Sequence, residues 1–322
     1  MLKVNALKPE DRDKHVGLMK ERFAAAYTEE TTKLKAMAGQ YNEKLLEFLS
    51  ERLDLILGGT PVELKNFVAD FRNHFPKFCT YAAKHQKGKE AKDVSHRNTF
   101  SVIESCFDYR EFTKKQGDWN AYYLVEKYNL RICPYCQAHH VNYHIDRSRV
   151  GGRKKNPDFL IRPPLDHFLP ESKYPYLAVS LGNLVPSCGQ CNSGVKSDID
   201  PLELELPNPL DPSTPITVNF SVQGWKPTNF GGKADEIEIN LDSTDGPSVA
   251  LINSFLLRPR YEWYRHEISD LFDRYAKYKE IDSTLRLHVS PDIFVLGFLE
   301  EKAPERAIGL CLKDVYNALK KY

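Results

Sequence analysis

Two short segments of one spacing constrain this chain more than anything else in it: "CPYC" at 133–136 and "CGQC" at 188–191. A C-x-x-C segment is a turn that brings two sulfurs within reach of one ion. Two such turns supply four thiolates, which suits a tetrahedral zinc site. Pro134 and Gly189 are turn-forming residues inside the knuckles, as that geometry requires. The pairs are separated by residues 137–187, 51 in all, a longer gap than in a simple zinc ribbon. No thioredoxin-like βαβ pattern flanks either pair, which argues against a redox centre. His139, His140 and His144 are alternative ligands, read here as strand or surface residues. A closed set of four thiolates, Cys133, Cys136, Cys188 and Cys191, leaves no open position. The expected Zn²⁺ therefore holds structure and does not catalyse.

The other cysteines, Cys79, Cys106 and Cys311, sit in helical patterns and read as small buried hydrophobes. Seven cysteines is an odd number, and the charged start "MLKVNALKPEDRDKH" lacks an apolar signal core. Both argue against a disulfide scaffold and make a cytoplasmic protein the expectation. No run of about 18 apolar residues is present, so no membrane span is expected. A net charge of +1 neither implies nor excludes nucleic acid; local clustering decides.

Texture divides the chain into four stretches. Residues 1–130 read as helical: "PEDRDKHVGLMKERFAAAY" starts with proline and acids, "NEKLLEFLSERLDLILGG" repeats the pattern and stops at a Gly58–Gly59 cap, and "TPVELKNFVADFRNHF" restarts with Thr60 as N-cap. Residues 131–200 hold the knuckles, prolines, glycines and short β-prone runs. Residues 201–245 include "ITVNFSVQGW" and "EIEINLD", which alternate at the strand period. Residues 246–322 are helical again. The fold class expected is α+β, with helical arms around a small core and a short antiparallel β segment.

Between the knuckles stands "PLDHFLPESKYPYLAVSLGNLVPSCGQCNSGVKSD". Its order is Asp166–His167, Asn183, the second knuckle, then Asn192 and Lys196. This order resembles the HNH nuclease family, whose core is the ββα-metal fold with a structural zinc in some members. The match runs from Cys133 to about Asp198, roughly a fifth of the chain, and Asn192 in third place makes it an H-N-N variant. The resemblance implies a phosphodiester hydrolase with His167 as general base, and an imidazole near its usual pKa of about 6.5 suits that task. It implies Asp166 and Asn192 as oxygen ligands of a catalytic Mg²⁺ or Mn²⁺, and Asn183 as the residue that fixes the strand end. Lys196, one α-helical turn past Asn192, is expected at a phosphate. Neighbours on a regular strand point to opposite faces, so Asp166 and His167 serve one ion only if the strand bends there.

"RSRVGGRKK" at 147–155 gathers Arg147, Arg149, Arg153, Lys154 and Lys155 without an acid. Such a patch suits phosphate contacts of little sequence preference. "SFLLRPRYEWYRHEI" at 254–268 mixes bases and aromatics and reads as packing on the core rather than binding nucleic acid. The implied substrate is nucleic acid, DNA ahead of RNA. The overall plan also resembles the HNH subunits of bacterial anti-phage systems, such as Septu and retron-associated nucleases, which implies an ATPase partner. The alternative is a zinc-stabilised nucleic-acid or protein-binding module without catalysis.

Overall fold

The computed structural model describes residues 3–36, 43–85, 94–148, 150, 157–197, 199–214, 216–223 and 234–321. The proline and acids at 9–11 start α1 (Pro9–Ala36). The helix expected over 42–59 is two, α2 (Glu43–Ser50) and α3 (Leu53–Gly58), parted by a turn at Glu51–Arg52. Gly59 is extended and does not form the left-handed cap its type suggested. Contact explains the glycine: a Cβ there would meet the Leu55 carbonyl oxygen at 2.4 Å. Thr60 caps α4 (Pro61–His74) in a capping box, its amide donating to the Glu63 carboxylate at 2.7 Å.

Four further helices complete the N-terminal half: α5 (Pro76–His85), α6 (Val94–Cys106), α7 (Tyr109–Phe112) and α8 (Ala121–Tyr128). Their interior is aromatic, and it reaches into the cysteine-bearing segment. The Tyr176 ring lies 4.4 Å from Phe71 and 5.7 Å from Phe67, contacts worth about 0.5–1.5 kcal/mol each beyond burial. Gly182 packs against the Gly59 carbonyl so closely that a Cβ would sit 2.5 Å from it. The residue before Asn183 is thus pressed onto the helical half.

Strands occur as antiparallel pairs among the described residues. β1 (His144–Asp146) pairs with β2 (Asp158–Ile161), and β3 (Leu165–His167) with β4 (Leu184–Pro186). β5 (Asn219–Gln223) pairs with β6 (Glu238–Asp242), where Phe220, Ile239 and Leu241 point inward as their period predicts. β4 is buried along its whole length, so no alternation marks it in the sequence. Helices then return as α9 (Gly246–Ser254), α10 (Leu257–Tyr261), α11 (Arg265–Glu280), α12 (Ser283–Arg286), α13 (Pro291–Val295) and α14 (Gly309–Leu319). A left-handed Leu256 (φ 49°) separates α9 from α10, which breaks the helical run expected there. One hydrophobic core joins the N-terminal helices, the β3–β4 segment, the β5–β6 pair and the C-terminal helices. Among the described residues no helix is long and apolar enough to cross a membrane.

Candidate metal centre and histidine site

The four knuckle cysteines converge. Their sulfurs all lie within 4.8 Å of one another, and all four residues are buried. The Sγ atoms of Cys136 and Cys188 are 3.9 Å apart. A tetrahedral ion with Zn–S bonds of about 2.3 Å sets its sulfurs about 3.8 Å apart, so the donor set fits zinc in kind and spacing. The first knuckle turns because the Gln137 amide donates back to the Cys133 carbonyl at 2.9 Å, with Gln137 in a left-handed conformation (φ 58°). Two donors point at the sulfurs: the Cys188 amide at Cys133 (3.4 Å) and the Arg260 guanidinium at Cys191 (3.4 Å). Such donors offset the charge of a four-thiolate site. Burial and the neighbouring sulfurs push the Cys133 thiol well up, whereas hydrogen bonds from the other three pull Cys136 well down. His139 lies beside the four, its Nδ1 3.6 Å from the Cys136 sulfur. His140 bridges to Ile132 and His144 begins β1.

The 254–268 segment packs on this centre. Phe255 stacks on Tyr135 at 4.6 Å, and the Tyr261 hydroxyl donates to the Cys136 carbonyl at 2.8 Å. Away from the centre, Cys106 and Cys311 are buried and Cys79 half-buried. Burial pushes the Cys79 thiol up to about 11 and Cys106 to about 12.

Asp166 and His167 are neighbours on β3 and part company there. Asp166 is buried, accepting from the Tyr135 hydroxyl at 2.6 Å on one oxygen and from the Lys196 ammonium at 3.0 Å on the other. Burial, then the adjacent carboxylate, pushes the Tyr135 hydroxyl well above its ordinary value, so it stays a donor. His167 has other partners. Its Nε2 is 2.8 Å from the Ala178 carbonyl oxygen and its Nδ1 is 3.6 Å from the Glu171 carboxylate. Its ring stands edge-on to Tyr109 with centroids 4.5 Å apart. A carbonyl only accepts, so Nε2 carries the proton and Nδ1 is left as the basic nitrogen. The His167 side chain is 14% exposed and that of Glu171 beside it 40%, so the Nδ1 edge faces the ring's more open neighbour.

Asn183 is fully buried and spans the loop between the strands. Its Oδ1 accepts from the Leu169 amide at 2.6 Å, and its Nδ2 donates to the carbonyls of Leu169 (3.1 Å) and Leu177 (3.0 Å). Asn192 is half-buried and donates to the Ser193 hydroxyl at 3.3 Å. Among the described residues no hydrogen bond joins Asn192 to Asp166 or His167. Lys196 departs from its expected place. Residues 190–196 are π-helical, and the Ser197 amide reaches the Asn192 carbonyl five residues back. This winding buries Lys196 on the side of Cys191, five residues earlier, while Ser193 and Gly194 between them are exposed. An α-helix would have put Lys196 beneath Asn192.

Of the basic stretch, Arg147 is half-exposed and pairs with Glu126 at 2.7 Å. Arg149, Arg153, Lys154 and Lys155 lie outside the described residues. Tyr135, Tyr109 and Glu171 were missed in the sequence. Tyr135 lies inside a knuckle whose sequence signal is its cysteines and its turn-forming Pro134, and Tyr109 is 58 residues from its partner with no motif around it. Comparison with family models, with curated proteins and with solved structures finds no match.

Proposed function

We propose that this chain is an HNH-type nuclease, stabilised by a four-cysteine zinc, that hydrolyses phosphodiester bonds with His167 as general base. The observation that carries this reading is the tautomer of His167. With Nε2 donating to the Ala178 carbonyl, Nδ1 is aimed at the more open side as a proton acceptor. There it takes one proton of a water whose oxygen bonds to phosphorus; the P–O bond to the leaving oxygen breaks, and that oxygen takes up a proton from solvent. Asn183 supports this role by tying Leu169 and Leu177 across the loop, which holds the strand end and the Ala178 turn together. Bound zinc supplies structure here and no chemistry of its own.

The Mg²⁺ or Mn²⁺ that the family resemblance calls for does not fit Asp166 where it stands. Both carboxylate oxygens are engaged, one of them by an ammonium, so no step is assigned through that ion. The test is nicking of a plasmid in Mg²⁺ or Mn²⁺, wild type against His167→Ala, with DNA first and RNA second. Cutting by wild type and its loss in the variant are expected. A folded, zinc-loaded wild type that cuts neither, alone or with an ATPase partner, would favour the binding-module reading. Metal analysis should find about one zinc per chain, lost when Cys133 and Cys136 become serine.

A further inference from the structure

We infer that the cysteine centre sets the position of His167 through Asp166, with Tyr135 and Lys196 as the two positioning residues. This deepens the nuclease reading and rests on it only where cleavage is concerned. Each knuckle contributes one of the pair. Tyr135 lies between the two cysteines of the first, and Lys196 follows the last cysteine of the second by one π-turn. Both side chains are buried, at 0% and 2% exposure, and they meet on the two oxygens of one carboxylate. Lys196 makes a second bond, to the His167 carbonyl oxygen at 2.6 Å. The backbone is therefore pinned on both sides of the histidine α-carbon, by the Asp166 side chain before it and by its own carbonyl after it.

The energetics favour a fixed arrangement. A buried carboxylate needs a partner, and the Lys196 ammonium and Tyr135 hydroxyl give each of its oxygens a donor. Charge-assisted bonds of this kind are short and directional. What they hold is an imidazole whose own hydrogen bond, among the described residues, is the one to Ala178. In this reading Asp166 is a hub between the metal centre and the base, and it is not a ligand of a catalytic cation.

The experiment uses the full, zinc-loaded chain labelled with ¹⁵N-histidine: wild type, Tyr135→Phe and Asp166→Asn. Phenylalanine keeps the stack on Phe255 and removes only the hydroxyl. In Asp166→Asn the side chain offers one acceptor oxygen and no charge where the carboxylate offered two charged ones, so it cannot accept from both Lys196 and Tyr135 and the charge-assisted hub is lost without loss of volume. Both variants should retain about one zinc per chain. In both, the His167 Nε2 proton should exchange with solvent about tenfold faster, as for loss of one charge-assisted hydrogen bond. The same proton of His15, held by the Val179 carbonyl at 2.8 Å, serves as the internal standard and should not change. Mn²⁺ affinity in Asp166→Asn should equal that of wild type, and kcat should fall in both variants with KM unchanged. The inference is overturned if the His167 proton exchanges at the wild-type rate in either zinc-loaded variant that folds, or if Asp166→Asn loses Mn²⁺ affinity tenfold. A wild type that cuts nothing would sink the nuclease reading alone, because the exchange and Mn²⁺ measurements stand without it.

Discussion

His15 and His167 begin from the same bond and end with different chemistry. Each donates Nε2–H to a carbonyl 2.8 Å away, and the two carbonyls, Val179 and Ala178, are consecutive in the chain. Each is therefore held in one tautomer with Nδ1 as the basic nitrogen. At His15 that nitrogen accepts from the Trp119 indole at 3.1 Å, and the residue is fully buried beside Phe112. At His167 it faces a half-exposed glutamate at 3.6 Å. One histidine spends both nitrogens on the fold; the other spends one and keeps one. What distinguishes a structural histidine from a candidate base here is the second nitrogen, and no feature of the first reveals it.

The widest separation between the two should appear in the proposed cleavage. Replacing His167 with alanine should cut the rate about 10²–10⁴-fold at unchanged zinc content. His15→Ala should leave the rate per folded molecule alone and lower stability by about 3 kcal/mol, since the Trp119 N–H and Val179 carbonyl lose their partner in the core. Equal loss of rate in both, measured on folded protein, would erase the distinction.

The next largest effect concerns what surrounds His167. The Lys196–Asp166 pair is 2% and 4% exposed, so Lys196→Met should cost about 3–5 kcal/mol in urea unfolding by leaving a buried carboxylate unpaired. The exposed Lys20–Asp54 pair, at 2.9 Å, should cost less than about 1 kcal/mol when broken. Comparable values would show that Asp166 is not sealed from water.

Titration sharpens the other side. Burial lowers the His15 pKa to about 4 against the opposing Val179 bond, so the unfolded chain binds a proton that the folded chain refuses. The His15 contribution is complete above about pH 6.5 and declines as pH falls toward 4, by roughly 3 kcal/mol in all. Unfolding midpoints for wild type and His15→Phe should therefore converge or cross across that window; parallel curves would count against a neutral buried His15. The smallest effect is at the surface. With Glu126 holding its guanidinium, Arg147→Ala should change stability by less than about 1 kcal/mol. Neutralising Arg147, Arg149, Arg153, Lys154 and Lys155 together should flatten the salt dependence of nucleic-acid binding.

Local sequence determined a good deal. The two C-x-x-C spacings identified four cysteines that do gather. Thr60 and Pro61 declared the start of α4, and alternation around Phe220 and Ile239 declared β5 and β6. Each is a signal within a few residues, where backbone geometry follows from residue type. The order of Asp166, His167, Asn183 and Asn192 singled out a segment but left open which side chains share a site. That was decided by tertiary structure. The strand did not bend, so Asp166 and His167 face different partners, and π-winding after Cys191 carried Lys196 inward to Asp166 instead of outward. Gly59 and Gly182 are glycines because two backbones touch, and the Nδ1 nitrogens of His15 and His167 differ because Trp119 meets only one of them. Contacts between residues a hundred positions apart leave no periodic trace in the chain, and only packing brings them together.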